Sequence, residues 1–203
     1  MADLAGTRAA LHGVAELLLA GPQYRAHGTI RLRVTPGGFA TVREPELRID
    51  VDTLVVAGRR VVLTGTTYGQ AGAAAGIEAG APVGVYREGS GAGLDDPVDI
   101  DPTHAAHLAD CFALGDRALR RFAADQTPVL WPEHFDLGIT LDGVNYGVSP
   151  GDAAIPEPYA YVGPWQPRTG DFWNVPFGAA RPLREFSGEV AVADFFAQGR
   201  AAA

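Results

Sequence analysis

His134 and Asp136 stand two residues apart in a run where Phe135, Leu137, Ile139 and Leu141 are apolar at a strict period of two. On an extended strand that period sends the apolar set to one face and His134, Asp136 and Thr140 to the other. A carboxylate beside an imidazole fixes its tautomer and raises its basicity, so the pair has the makings of a general base or of part of a metal site. Further on, Glu157 lies between Pro156 and Pro158, whose locked torsions stiffen its backbone. Tyr159 and Tyr161 then alternate with Ala160 and Val162, again at strand spacing. The segment 129–165 also holds two of the three tryptophans. The candidate ligand-binding residues are therefore Trp131, His134, Asp136, Tyr146, Glu157, Tyr159 and Tyr161. A carboxylate, an imidazole and aromatic walls suit a small organic ligand with a hydrogen-bond donor or a cation.

A structural reading competes with this one. The histidine then simply makes a hydrogen bond at a sheet edge, and the aromatic residues seal the sheet or form the surface of a homodimer or other partner. Enzymatic activity stays open, because no nucleophile, base and orienting group can be assembled from spacing alone. Ser149 lacks the G-x-S-x-G surroundings of a hydrolase nucleophile, and Ser149 and Asp152 are expected to cap each other's backbone amides in a turn.

Metals and cofactors find little support. His104 and His107 are three apart on a helical pattern, near Asp110 and Cys111, but neither H-E-x-x-H nor C-x-x-C occurs. No metal is expected. With no Walker loop and no G-x-G-x-x-G cradle, no nucleotide cofactor is expected either.

The chain has 203 residues, 47% of them hydrophobic and 20% charged, which is the composition of a packed core rather than of disorder. A net charge of −8 disfavours nucleic acid, which needs a basic face, and adsorption to anionic lipid. The single cysteine, Cys111, rules out an internal disulfide and points to a reducing, cytoplasmic setting. The apolar run 14–20 is short, lacks a basic flank and contains Glu16, so it reads as a core helix rather than a leader or membrane span.

These residues need elements to hold them. A first helix is expected over 7–20, capped by Thr7 and stopped by Gly21-Pro22. An antiparallel meander follows, with strands over 28–34, 39–42, 47–51, 54–57 and 60–63. A short helix starts at Thr66 or Thr67 and reaches Ala75. The segment 79–97, rich in Gly, Pro and acid, reads as a surface loop. A long helix capped by Asp101 runs to about residue 124, with Leu108, Cys111, Phe112, Leu119 and Phe122 on one stripe. A last helix over 187–197 buries Val190 and one of Phe195 and Phe196. The expected fold is α+β, a largely antiparallel sheet with helices packed on one face, in a single domain over 1–203 with possible halves 1–97 and 98–203.

The segments LWPEHFDLGI, NYGVSPGD and PEPYAYVGPW resemble motifs of an uncharacterised bacterial, actinobacterial domain-of-unknown-function family, with W-x-x-x-FDLA, S-P-G-D and E-P-Y-x-Y patterns. The likeness extends over nearly the whole chain and implies no particular activity. The family pattern often has a small residue where His134 stands, which makes Trp131, Asp136, Glu157 and Tyr159 the better-matched positions.

Overall fold

The computed structural model describes residues 2–203. It divides into two compact units. The N-terminal unit runs to Asp110 and takes in Leu130–Phe135; the C-terminal unit holds Cys111–Val129 and Asp136–Ala203. The chain thus changes unit inside its longest helix and returns to the first unit for one short segment. Both crossings lie outside the 79–97 loop, which is tied to the N-terminal helix as described below. Among the described residues, every one of the ten strands takes part in antiparallel pairing, so the fold is α+β, as the sequence pattern indicates. Among the described residues, no helix is long and apolar enough to cross a membrane.

In the N-terminal unit, helix α1 (Leu4–Gly13) passes into a π-helical segment (Val14–Ala20) and then into α2 (Gly21–His27). Asp3 caps α1 by accepting from the Gly6 amide at 2.8 Å. Thr7, the expected cap, is instead buried inside the helix, where its hydroxyl accepts from the Asp101 amide at 3.1 Å. Gly21-Pro22 does not end the helix; Gly28, at φ 67°, does. Hydrogen-bond accounting explains why. In the π segment the Gly21 amide bonds to the Glu16 carbonyl, five residues back. The Leu17 carbonyl would next need the N–H of Pro22, which has none. It accepts from the Gly80 amide instead, at 2.8 Å. A Cβ on Gly21 would lie 1.6 Å from the Gly80 carbonyl oxygen, so only glycine permits this approach. The Gly-Pro pair is therefore a docking point for the 79–97 loop.

Strands β1 (Leu32–Thr35), β2 (Gly38–Thr41), β3 (Leu47–Asp50), β4 (Thr53–Val56) and β5 (Arg59–Val62) form the expected meander. β6 (Val129–Trp131) adds to its other side through Leu130 opposite Leu32. Ala57 and Gly58, both at positive φ, close the β4–β5 hairpin. Helix α3 (Tyr68–Ala75) opens with a capping box between Thr67 and Gln70.

Helix α4 (Pro102–Phe122) is the expected long helix. Asp101 Oδ1 accepts from the amides of Thr103 at 2.8 Å and His104 at 3.2 Å. Leu108, Cys111, Phe112 and Leu119 are buried, and Phe122 half-buried. The C-terminal unit orders its strands β7 (Asp136–Leu141), β8 (Val144–Ser149), β9 (Tyr159–Pro164) and β10 (Ala179–Pro182) side by side. Asp142 and Gly143, at φ 53° and 77°, make the two-residue turn between β7 and β8. Helix α5 (Glu189–Ala202) follows. Two glycines bring the helices onto this sheet. A Cβ on Gly115 would meet Val148 at 2.7 Å, and one on Gly199 would meet Val162 at the same distance. Because Leu137, Val148, Ala160 and Val162 share one face, α4 and α5 lie on the same side of the sheet. The buried stripe of α5 is Val192, Phe195, Phe196 and Gly199. Val190 falls off that stripe and is 48% exposed, contrary to expectation. The outer strand β10 is shielded by Asn174, whose side-chain amide bonds both the Ala180 carbonyl (3.0 Å) and the Ala180 N–H (2.9 Å).

Candidate functional site

The alternation of β9 decides where its tyrosines go. Val162 meets α5, so Tyr159 and Tyr161 project from the opposite face of the C-terminal sheet. Asn145, Gly147 and Ser149 of β8 and Asp136, Gly138 and Thr140 of β7 share that face. Tyr161 stands opposite Gly147, which in turn pairs with Gly138. With no side chain on either glycine, the phenol ring lies across both and its hydroxyl donates to Asp136 Oδ2. Burial and the Asp136 charge hold the Tyr161 phenol well above its ordinary pKa.

Tyr159 has its own carboxylate. Its hydroxyl donates to Asp152 Oδ2 at 2.6 Å. The other oxygen of Asp152 accepts from the amides of Ala154 and Ile155, both at 2.7 Å, which fixes the turn after β8. Ser149 accepts from the Gly151 amide at 3.2 Å, so Ser149 and Asp152 each cap amides of the turn that follows them and not, as expected from the sequence, each other's. Burial, then the bond to Asp152, raises the Tyr159 pKa. The rings of Tyr159 and Tyr161 meet edge to face at 6.3 Å, and Phe177 lies 6.3 Å from Tyr159. At the far end of the face, Trp165 is 67% exposed and donates its indole N–H to Asn145 Oδ1 at 3.3 Å.

Three of the seven sequence candidates, Asp136, Tyr159 and Tyr161, therefore come together. The others do not join them. Tyr146 lies on the helix-facing side of β8, with its ring against Phe122 (4.7 Å) and Phe196 (6.1 Å). Glu157 forms a forked ion pair with Arg184 at 2.7 and 3.1 Å. Trp131 and His134 belong to the N-terminal unit, where the guanidinium of Arg31 sits 5.6 Å from the Trp131 ring and His134 is exposed. His134 and Asp136 do not share a strand, because Phe135 adopts φ 53° in a turn and β7 starts only at Asp136. Phe135 itself packs in the N-terminal unit against His12 and Phe39, at 5.6 and 5.5 Å.

Sequence reasoning passed over a second group of polar residues. Glu16 is only 6% exposed, within the π-helical segment. Its Oε2 accepts from the Ser90 amide at 2.8 Å and from the Ser90 hydroxyl. His12, one turn earlier, donates from Nε2 to the Pro132 carbonyl at 2.7 Å. Burial lowers its pKa, opposed by Glu16. The available signal was Glu16 itself, one charge inside the otherwise apolar run 14–20. Among the described residues, no group of three or more His, Cys, Asp or Glu side chains is placed to hold a metal ion.

Fold and site together define an antiparallel α+β protein with tyrosine–carboxylate pairs on one sheet face. No family model, curated protein or solved structure matches the chain.

Proposed function

We propose that this chain is a small-molecule binding protein whose C-terminal sheet takes an organic cation. The observation that carries the reading is the pairing of Tyr161 with Asp136 and Tyr159 with Asp152 on the face turned away from α4 and α5. Each phenol is held rigid by its carboxylate, so the aromatic surface is preorganised and negative charge lies beside it. Aromatic faces with nearby carboxylates attract organic cations, quaternary ammonium groups above all. The chain's charge of −8 also favours a cationic ligand. The test is calorimetric titration with choline and tetramethylammonium, using 3,3-dimethylbutanol as the neutral shape control. Binding of the cations, weakened at least tenfold by Asp136→Asn or Tyr161→Phe, is expected. Equal response to the neutral alcohol, or unchanged affinity in both variants, removes the reading.

A second reading rests on the exposure of Trp165 (67%) and Phe177 (43%). Large exposed aromatics mark protein interfaces as well as ligand sites. In that case the face joins two copies of the chain, and light scattering across a concentration series finds a dimer that Trp165→Ala dissociates. A monomer at every concentration excludes it.

A further inference from the structure

The N-terminal unit contains a cluster of buried polar groups that the cation-binding reading does not use. Glu16 sits beneath the 79–97 loop, and the loop is shaped around it: a Cβ on Gly89 would lie 2.3 Å from Glu16 Oε1. The hydroxyl of Tyr86, from the same loop, faces Glu16 and Glu133. Glu133 Oε2 is buried and completes no hydrogen bond with the described residues, and the buried Tyr86 hydroxyl lies close to Glu16 but outside good hydrogen-bond geometry. His12 closes another side, its ring stacked on Phe135. A carbonyl only accepts, so the bond to Pro132 places the ring proton on Nε2 and leaves Nδ1 of the neutral ring as an acceptor.

The inventory of this cluster is lopsided. Glu16 and Glu133 are acceptors when ionised, His12 Nδ1 is an acceptor, and the Tyr86 oxygen can accept as well. Buried polar atoms left without partners are rare in native proteins and mark missing water, ions or ligands. No ion pair reaches Glu16 or Glu133 among the described residues. The chain contains no lysine, so it has no ammonium side chain of its own to supply. We propose that the cluster formed by His12, Glu16, Tyr86 and Glu133 binds the ammonium group of a primary amine. Such a group brings three N–H donors, one positive charge and no acceptor, which answers the set of acceptors present.

Space for the rest of such a molecule lies next to the carboxylate. Ser90, which donates to Glu16, also lines an open groove of about 410 Å³ together with Ala9, Ala10, Tyr68 and Asp96. Alanines offer the groove a shallow apolar floor, and no Arg or His lines it. An unbranched aliphatic stem fits that lining, whereas a quaternary ammonium has no N–H to give the acceptors.

The experiment uses the full chain and n-butylamine, with n-butanol as the neutral control, followed by calorimetry and by amide NMR shifts. Saturable binding of butylamine is expected, at least tenfold tighter than butanol, with shifts at Ser90 and Gly89. Glu133→Gln weakens it at least tenfold, and Tyr86→Phe, a smaller perturbation, weakens it several-fold if the first variant does not fold. Asp136→Asn, in the other unit, leaves the amine-induced shifts at Ser90 and Gly89 unchanged, which separates this site from the one proposed above. Absence of saturable binding, equal binding of butanol, or full affinity in a folded Glu133→Gln protein overturns the assignment. So does loss of those shifts in Asp136→Asn.

Discussion

Tyr161 reaches Asp136 by crossing two glycines, Gly147 on β8 and Gly138 on β7, and no other residue type at Gly147 leaves it that path. A Cβ at Gly147 would lie 2.5 Å from the Tyr161 hydroxyl oxygen and 2.4 Å from the Leu137 carbonyl oxygen. At Gly138 the nearest atoms are looser, the Tyr161 hydroxyl at 3.0 Å and the Tyr146 carbonyl at 3.1 Å. Gly147→Ala is therefore expected to cost about 1–3 kcal/mol by overpacking, and Gly138→Ala distinctly less. Urea denaturation of the two variants checks the order. If Gly138→Ala proves the worse, the ring does not lie as described.

The α4 stripe gives a second prediction. Phe112 is 1% exposed in the C-terminal unit. Truncating a fully buried phenylalanine loses its transfer energy and leaves a cavity, so Phe112→Ala should cost about 3–5 kcal/mol. Chemical denaturation measures this, and a loss below about 1 kcal/mol would be incompatible with a packed site.

The elements legible in the sequence were those governed by local periodicity and local capping. The β1–β5 meander, α3 and α4 follow from alternation, from the Thr67–Gln70 box and from the Asp101 cap, all of which act within a few residues. What the sequence pattern misplaced depends on distant partners. Pro22 breaks a helix by default, but Gly80, far along the chain, supplies the hydrogen bond that lets this one continue. The alternation from Phe135 to Leu141 looks unbroken, yet Phe135 turns at positive φ because His12 and Phe39 hold its ring in the other unit. The sequence pattern assigns no strand to residues 144–149, although Asp142-Gly143 is a strong hairpin signal, and Val144–Ser149 is in fact a central strand of the C-terminal sheet. At the site, the period of two correctly put Tyr159 and Tyr161 on one face. It could not show that Tyr146 faces Phe122 and Phe196, since that follows from the pairing of β8 with β7.

A third prediction concerns acid. The backbone N–H of His104, with that of Thr103, holds the Asp101 carboxyl below its ordinary pKa. A carboxyl whose folded pKa is depressed stabilises the fold fully above its unfolded pKa of about 3.9, and that contribution disappears as pH falls through the folded value. Asp101→Asn retains a capping oxygen but cannot titrate. It lacks the charge-assisted part of the cap, so it should be less stable than the native protein at pH 7 and lose less stability below about pH 4. Thermal denaturation from pH 2 to 7 shows this as convergence of the two proteins at low pH. Parallel curves would mean that the cap does not couple to protonation.

His12 titrates with the opposite chemistry. Burial disfavours the imidazolium and lowers its pKa, helped by His134, while the Pro132 carbonyl and Glu16 pull the other way. The unfolded chain then takes up the proton first, near pH 6.5, and the folded protein only at lower pH. Above pH 6.5 both states are neutral at this residue and its packing counts in full; as pH falls below that value, stability declines until the folded ring is protonated too. Glu16 and Glu133 belong to the same cluster, so an ammonium bound there adds a positive charge close to the ring. Two results follow. NMR titration of the His12 ring protons should give a midpoint below the ordinary histidine value of about 6.5. Saturating n-butylamine should lower the His12 midpoint further, because two cations share the cluster. A His12 midpoint at or above about 6.5 would contradict its burial against Phe135, and a midpoint raised by the amine would place the amine elsewhere.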